Sequence, residues 1–342
     1  MRSKVEVSGP ASTSLKTIGA HLVRPECVLA TADGSFYVSM RGRGVARVDT
    51  DGRCFALAER TEHGGMEIVP NGIALLPDGS FLLANIADAG GILRLVDGRI
   101  EPFVTTLNDR PMPPVNFVTT DEDGRIWFSI SSTTAPRHLA YRRDVANGLI
   151  GTVEDGRAQI VARGLHYTNE IRPDLENGWL YVSETFGFAI TRFPLAPDGT
   201  LGEKAEFASV PDGSFVDGIA LDAEGCVWSA SIVSNEVRRT DPHGRSEVML
   251  AETDRAWVSE VIDALDRGQM GRRHFDEVPT KTLRNAASLA FHGEDLTRLA
   301  AGSLLGDRIV TFETETQGRR PVHWEVTVSM TGTEFTSRTD PE

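Results

Sequence analysis

Short apolar runs recur along this chain in groups, separated by polar turns rather than by helix-length segments. One set reads FYVSM from Phe36, FLLAN from Phe81, IWFSI from Ile126, LYVSE from Leu180, VWSAS from Val227 and LAAGS from Leu299. Each is followed by a further run: GVARVD, GILRLV, LIGTVE, AITRFP, EVRRTD and RIVTFE. Runs of four to six residues rich in Val, Ile, Phe, Tyr and Trp, bounded by Asp-Gly turns, predict strands. In three groups a second tight turn, DTDGR, VDGR or EDGR, opens a fourth run, CFALA, IEPFV or AQIVA. The unit is a four-stranded antiparallel meander.

The first run of each group is a repeat. It reads ECVLATADG from Glu26, NGIALLPDG from Asn71, NFVTTDEDG from Asn116, NEIRPDLENG from Asn169, DGIALDAEG from Asp217 and, degenerate, ASLAFHGED from Ala287. Spacings of 45, 45, 53, 48 and 70 residues are propeller-blade lengths with two insertions. The expectation is an all-β, six-bladed β-propeller occupying 1–342 as a single domain, with a rim segment inserted at about 252–285. LKTIGAHLVRPE, ahead of Glu26, matches the segments that precede later repeats, so the N-terminal strand is expected to close the last blade. PVHWEVTV near the C-terminus competes for that place or adds a strand.

If the first residue of each repeat starts an innermost strand, all six converge at one mouth of the central tunnel. Glu26, Asn71, Asn116, Asn169 and Asp217 then form a ring of oxygen donors with a gap at Ala287. Carboxylates and amide oxygens without Cys or His suit one hard divalent cation, Ca2+ first, leaving Mg2+, Mn2+, Zn2+ and Fe2+ open. Without the ion, Glu26 and Asp217 repel.

Composition narrows the partners. The 342 residues carry a formal charge of −14, which argues against nucleic acid or an anionic membrane as a ligand. No apolar run is long enough to span a bilayer and the N-terminus lacks a signal-type apolar region, so a cytoplasmic protein is expected. Cys27, Cys54 and Cys226 have no CxxC spacing and read as buried thiols of a reducing compartment.

Five segments together carry a likeness to a known family: RPE at Glu26, NFV…DEDGRIWFS at Asn116, YTNEIRPD…GWLYVSET at Asn169, FVDGIALDAEGCVWSA at Asp217 and LAFHGEDLTRLAAGSLLGDRIVTFE at the close. From about residue 20 to 325 the chain resembles the senescence-marker-protein/gluconolactonase family, in the wider six-bladed group of diisopropylfluorophosphatase and the paraoxonases. The resemblance implies that Glu26, Asn116, Asn169 and Asp217 hold one catalytic divalent ion, and that the reaction is hydrolysis of a lactone or similar ester. Asn71 stands where paraoxonase-like relatives place a histidine, and reads as substrate-facing or as a ligand through water. Sugar-lactone members carry an arginine two residues before the blade-three asparagine. This chain has Pro114 there, which favours a γ- or δ-lactone less polar than gluconolactone.

With the cation polarising the carbonyl, Asp217 is the expected base toward water and Glu26 a ligand only; both acids acting as ligands alone is the alternative. Two long connections can reach substrate. Ser131–Gly148 carries Arg137, His138, Tyr141, Arg142 and Arg143; Glu252–Asn285 contains an amphipathic helix around Trp257, Val261, Ile262 and Leu265, read as a lid, a packed rim element or a homo-oligomer contact. His138, His166 and Tyr167 join Asn71 as candidate substrate contacts. Three rivals share the fold: a non-catalytic Ca2+-binding interaction module, a metal-free carbon–nitrogen bond-forming enzyme of the strictosidine-synthase type, and a phosphotriester or fluorophosphonate hydrolase.

Overall fold

The computed structural model describes residues 6–58 and 65–337. Residues 1–5, 59–64 and 338–342, part of the expected 1–342 span, lie outside the described residues. Six antiparallel sheets take the order read from the repeats. Their innermost strands are Val28–Ala30, Pro70–Leu75, Phe117–Thr120, Thr168–Asp174, Ser214–Leu221 and Ala286–His292. Each touches the next in sequence, and the last touches the first, so the sheets close a ring. This is the six-bladed propeller.

Burial explains which run lies where. Pro70–Leu75 and Ser214–Leu221 are buried at every position, because a strand at the axis is covered on both faces. Arg157–Leu165, at the outer edge of blade three, alternates exposed and partly buried residues along most of its length. The Asp of two repeats has a second task besides turning the chain. Asp121 accepts the indole N–H of Trp127 at 2.9 Å, and Asp222 that of Trp228 at the same distance. Each buried indole thereby packs between blades with its polar atom satisfied.

Glycine is required where inner strands crowd. A Cβ on Gly218 would lie 2.4 Å from the Ala287 carbonyl oxygen, and one on Gly72 would lie 2.7 Å from Phe117 Cα. These are the second letters of the two nearly identical repeats, NGIAL and DGIAL.

Closure comes from both ends of the chain. Lys16–Ile18 pairs antiparallel with Ile309–Glu313 as the outer strand of blade six, as expected. PVHWEVTV forms no strand. The 319–323 stretch crosses the far mouth of the tunnel; there Pro321, Val322 and His323 border a cavity of about 120 Å³ with all six inner strands. The added C-terminal strand is instead Thr333–Glu334, fifth in blade one, paired through Thr333 and Ala56.

Between blades five and six the chain forms α1 (Arg255–Asp266) and α2 (Arg273–Asp276). Asp254 caps α1 by accepting the Trp257 N–H at 3.0 Å. Val261 and Leu265 are buried in an aromatic cluster with Phe186, Phe215 and Phe275. The buried Glu252 anchors the start of this excursion, accepting from the backbone N–H groups of Lys281, Thr282 and Leu283 and from the Thr280 hydroxyl. No helix among the described residues is long and apolar enough to cross a membrane. The three cysteines are free and buried.

Candidate metal centre

The aligned residues do not simply open their strands. In blades two, four, five and six the strand begins one to three residues earlier, and its register slips across the aligned position: between Pro70 and Ile73, Thr168 and Ile171, Val216 and Ile219, and Ala286 and Ser288. A slipped register leaves unpaired residues that bend the strand and re-aim a side chain. Each irregularity falls on Asn71, Asn169, Asp217 or Ala287.

Hydroxyls from second strands hold this backbone in place. Ser129 donates to the Asn169 carbonyl at 2.6 Å, Ser183 to that of Asp217 at 2.6 Å, and Thr185 to that of Val216 at 2.8 Å. Ser39 accepts the Cys27 N–H at 3.0 Å. The serine common to FYVSM, IWFSI and LYVSE was a signal that sequence reading passed over.

Glu26, Asn71, Asn116, Asn169 and Asp217 are all buried, with Ala287 in the sixth place. Their amide nitrogens are tied to protein. Asn71 Nδ2 donates to the Asn116 carbonyl at 3.0 Å, Asn116 Nδ2 to Ser131 Oγ at 2.8 Å, and Asn169 Nδ2 to Thr185 Oγ1 at 3.2 Å. Asn71 Oδ1 is buried with no partner. An orphaned acceptor beside two buried carboxylates is what a hard-cation or ordered-water site leaves in the protein scaffold. Among the described residues no three His, Cys, Asp or Glu side chains cluster, so a full ligand count here depends on amide oxygens.

Charge in the ring is concentrated. Burial, then the facing Glu26, then Glu170, push the Asp217 carboxyl well above the usual range. Arg24 forks onto one oxygen of Glu26, with nitrogens at 2.7 and 2.6 Å from Oε2. Glu170, one residue beyond Asn169, is pushed up to about 7 by burial, against the opposing pull of Arg172. Sequence reading missed all three of Arg24, Glu170 and Arg172, whose roles depend on a neighbouring strand.

The expected substrate contacts separate. Tyr167 is buried at φ 64°, two residues before Asn169, with its ring 5.6 Å from Tyr141 and 4.9 Å from Phe186. Burial raises its hydroxyl far above the ordinary phenol range. His166 points elsewhere: Nδ1 lies 2.9 Å from the Arg143 carbonyl, and the residue borders a groove with Glu184 and Lys204. His138 is exposed in a short 3-10 turn, Arg137–Ala140. Pro114 is partly exposed, two residues ahead of Asn116.

A closed six-bladed propeller with a buried carboxylate or amide residue at the aligned place of five blades is the class the fold defines. Within it, this chain belongs to the SMP-30/gluconolactonase/LRE-like family, whose model matches residues 24–256. A 6-deoxy-6-sulfogluconolactonase of Pseudomonas putida is 28% identical over 199 residues, a match spanning 56% of this chain and 58% of that relative. A gluconolactonase of Xanthomonas campestris superposes with TM-score 0.63 at 21% identity, covering 87% of this chain and 89% of the other. The calcium-binding protein regucalcin of Agrobacterium tumefaciens gives 0.61 at 18% identity, covering 91% and 93%. At these identities the two structural likenesses speak to the fold alone.

Proposed function

We propose that this protein is a divalent-cation-dependent hydrolase that opens small γ- or δ-lactones. The observation that carries the reading is that Glu26 and Asp217 are buried at the aligned place of their blades and that Asn71 Oδ1, at the same place in blade two, is buried without a partner. The gluconolactonase-like family supports the reaction class.

Glu26, Asn116, Asn169 and Asp217 hold one cation, and the all-oxygen donor set favours Ca2+. The bound ion supplies polarisation of the lactone carbonyl and stabilisation of the oxyanion that follows. The chain does the rest. Asp217 takes a proton from the attacking water as the new carbon–oxygen bond forms. That proton passes to the ring oxygen as the carbon–oxygen bond of the ring breaks, and the product is the open hydroxy acid. Glu26 stays a ligand, its charge shared with Arg24. Asn71 Oδ1 accepts from water or a substrate hydroxyl. Substrate arrives from the ring end, because residues 319–323 cross the other mouth.

The test is hydrolysis of γ- and δ-lactones, sugar and aliphatic, before and after chelation and with Ca2+ restored. Turnover lost on chelation and recovered with Ca2+ supports the reading; no turnover of any lactone with any divalent ion overturns it.

A further inference from the structure

The Ser131–Gly148 connection carries a cation without an ionic partner among the described residues. Arg137 opens the 3-10 turn Arg137–Ala140 and makes no hydrogen bond or ion pair among the described residues, unlike its neighbours on the same connection. Arg142 is bound to Asp144, and Arg143 to Asp212 and Asp266. Arg137 is nonetheless only partly exposed, and the side chains whose fields act on it are Tyr167, Tyr141, Glu26 and Arg272. Its turn leads into Tyr141, whose ring packs against that of Tyr167, two residues before Asn169.

Arg272 approaches the same place from the rim insertion. Its guanidinium lies 6.0 Å from the Phe275 ring, which packs 5.3 Å from Tyr141, which in turn lies 5.6 Å from Tyr167. Glu26 also acts on Arg272. Two connections from different blades thus bring guanidinium groups to one aromatic wall beside the ring.

Other cations around the mouth have ionic partners. Glu26 is met by Arg24, Glu170 by Arg172, and Arg272 by Asp276. Arg137 has no ion-pair partner among the described residues, in a protein whose formal charge is −14. Such a charge is costly unless a ligand completes it.

We infer that Arg137, flanked by Arg272, recognises a negatively charged group on the substrate arm remote from the lactone carbonyl. The inference rests on the lactonase reading and sharpens it: the substrate is an anionic lactone bearing a carboxylate, sulfonate or phosphate.

The experiment compares δ-lactones that share a ring and differ at the exocyclic carbon: carboxylate, sulfonate, phosphate, or neutral hydroxymethyl. Wild-type protein with Ca2+ is expected to favour an anionic member by about 10- to 100-fold in kcat/KM, mostly through KM. Arg137→Gln should cut the anionic-to-neutral ratio at least about 10-fold, and Arg137→Lys should restore part of it. Which of the three anions gives the lowest KM identifies the group. Equal turnover of charged and neutral lactones, or an Arg137→Gln ratio equal to wild type, overturns the inference while leaving the lactonase intact. If no lactone is turned over, calorimetric titration with the ring-opened sulfonate hydroxy acid decides: binding that Arg137→Gln abolishes sustains the anion site alone, and absence of binding overturns it.

Discussion

Glu170 and Arg172, one residue apart on the same inner strand, grip both backbone polar groups of Ile219 on the next. Glu170 Oε2 accepts the Ile219 N–H at 3.2 Å, Arg172 Nε donates to the Ile219 carbonyl at 2.8 Å, and the two side chains meet at 2.6 Å. Ile219 is where regular pairing resumes after the slipped register that carries Asp217. The pair therefore fixes the far end of the irregularity that aims the acid.

Breaking one half of this grip leaves a buried group without its counterpart. Arg172→Met is expected to destabilise the protein by about 3–5 kcal/mol, and the double variant Glu170→Gln/Arg172→Met by less. Urea midpoints measure both. A double variant as damaged as the sum of the singles would show that the two residues act separately.

Asp217→Asn should move stability and activity in opposite directions. In chelator the variant loses a buried carboxyl on which Glu26 and Glu170 act, so its unfolding free energy should rise by about 1–3 kcal/mol. With Ca2+ its lactone turnover should fall by about 100-fold or more. Wild type should gain about 2.7 kcal/mol when the ion stands at 100 times its Kd, and the variant far less. Calorimetric unfolding with and without Ca2+, beside initial rates, reads all three.

His323 should make stability depend on pH. Burial, then the charge of Arg172, lowers its imidazole to about 4 against an ordinary 6.5. The unfolded chain then binds the extra proton between those values, so this contribution is complete above about pH 6.5 and drains away as pH falls toward 4. Relative to His323→Gln, wild type should lose about 2 kcal/mol over that window, the full shift reduced for the ring's partial exposure. Chemical unfolding of both proteins at pH 7, 5.5 and 4 measures the difference. An unchanging gap would place the proton elsewhere.

The repeats were legible because a propeller writes its geometry locally: short runs, Asp-Gly turns, and one oxygen-bearing side chain at a fixed place in each blade. That these first letters are buried fits the reading of them as a set. What aims them could not be read, since a slipped register exists only relative to a partner strand. Glu170 reads as strand filler until Ile219 is opposite it. His138 drew notice because imidazoles titrate near neutrality, yet it is exposed, while its neighbour Arg137 stands among Tyr141, Tyr167 and Glu26. PVHWEVTV looks like a strand by composition but joins no sheet among the described residues; blade one takes Thr333–Glu334 instead.

The two terminal strands are latched in opposite senses, Lys16 beside Thr311 and Thr333 beside Ala56. During synthesis from the N-terminus, Lys16–Ile18 has no partner until Ile309–Glu313 has left the ribosome, and the outer edge of blade one waits for Thr333–Glu334. The ring can close only after blade six is made, and until then the nascent protein is an open arc with exposed edges at both ends. That makes the time before blade six emerges the interval in which pairing with another chain competes with closure.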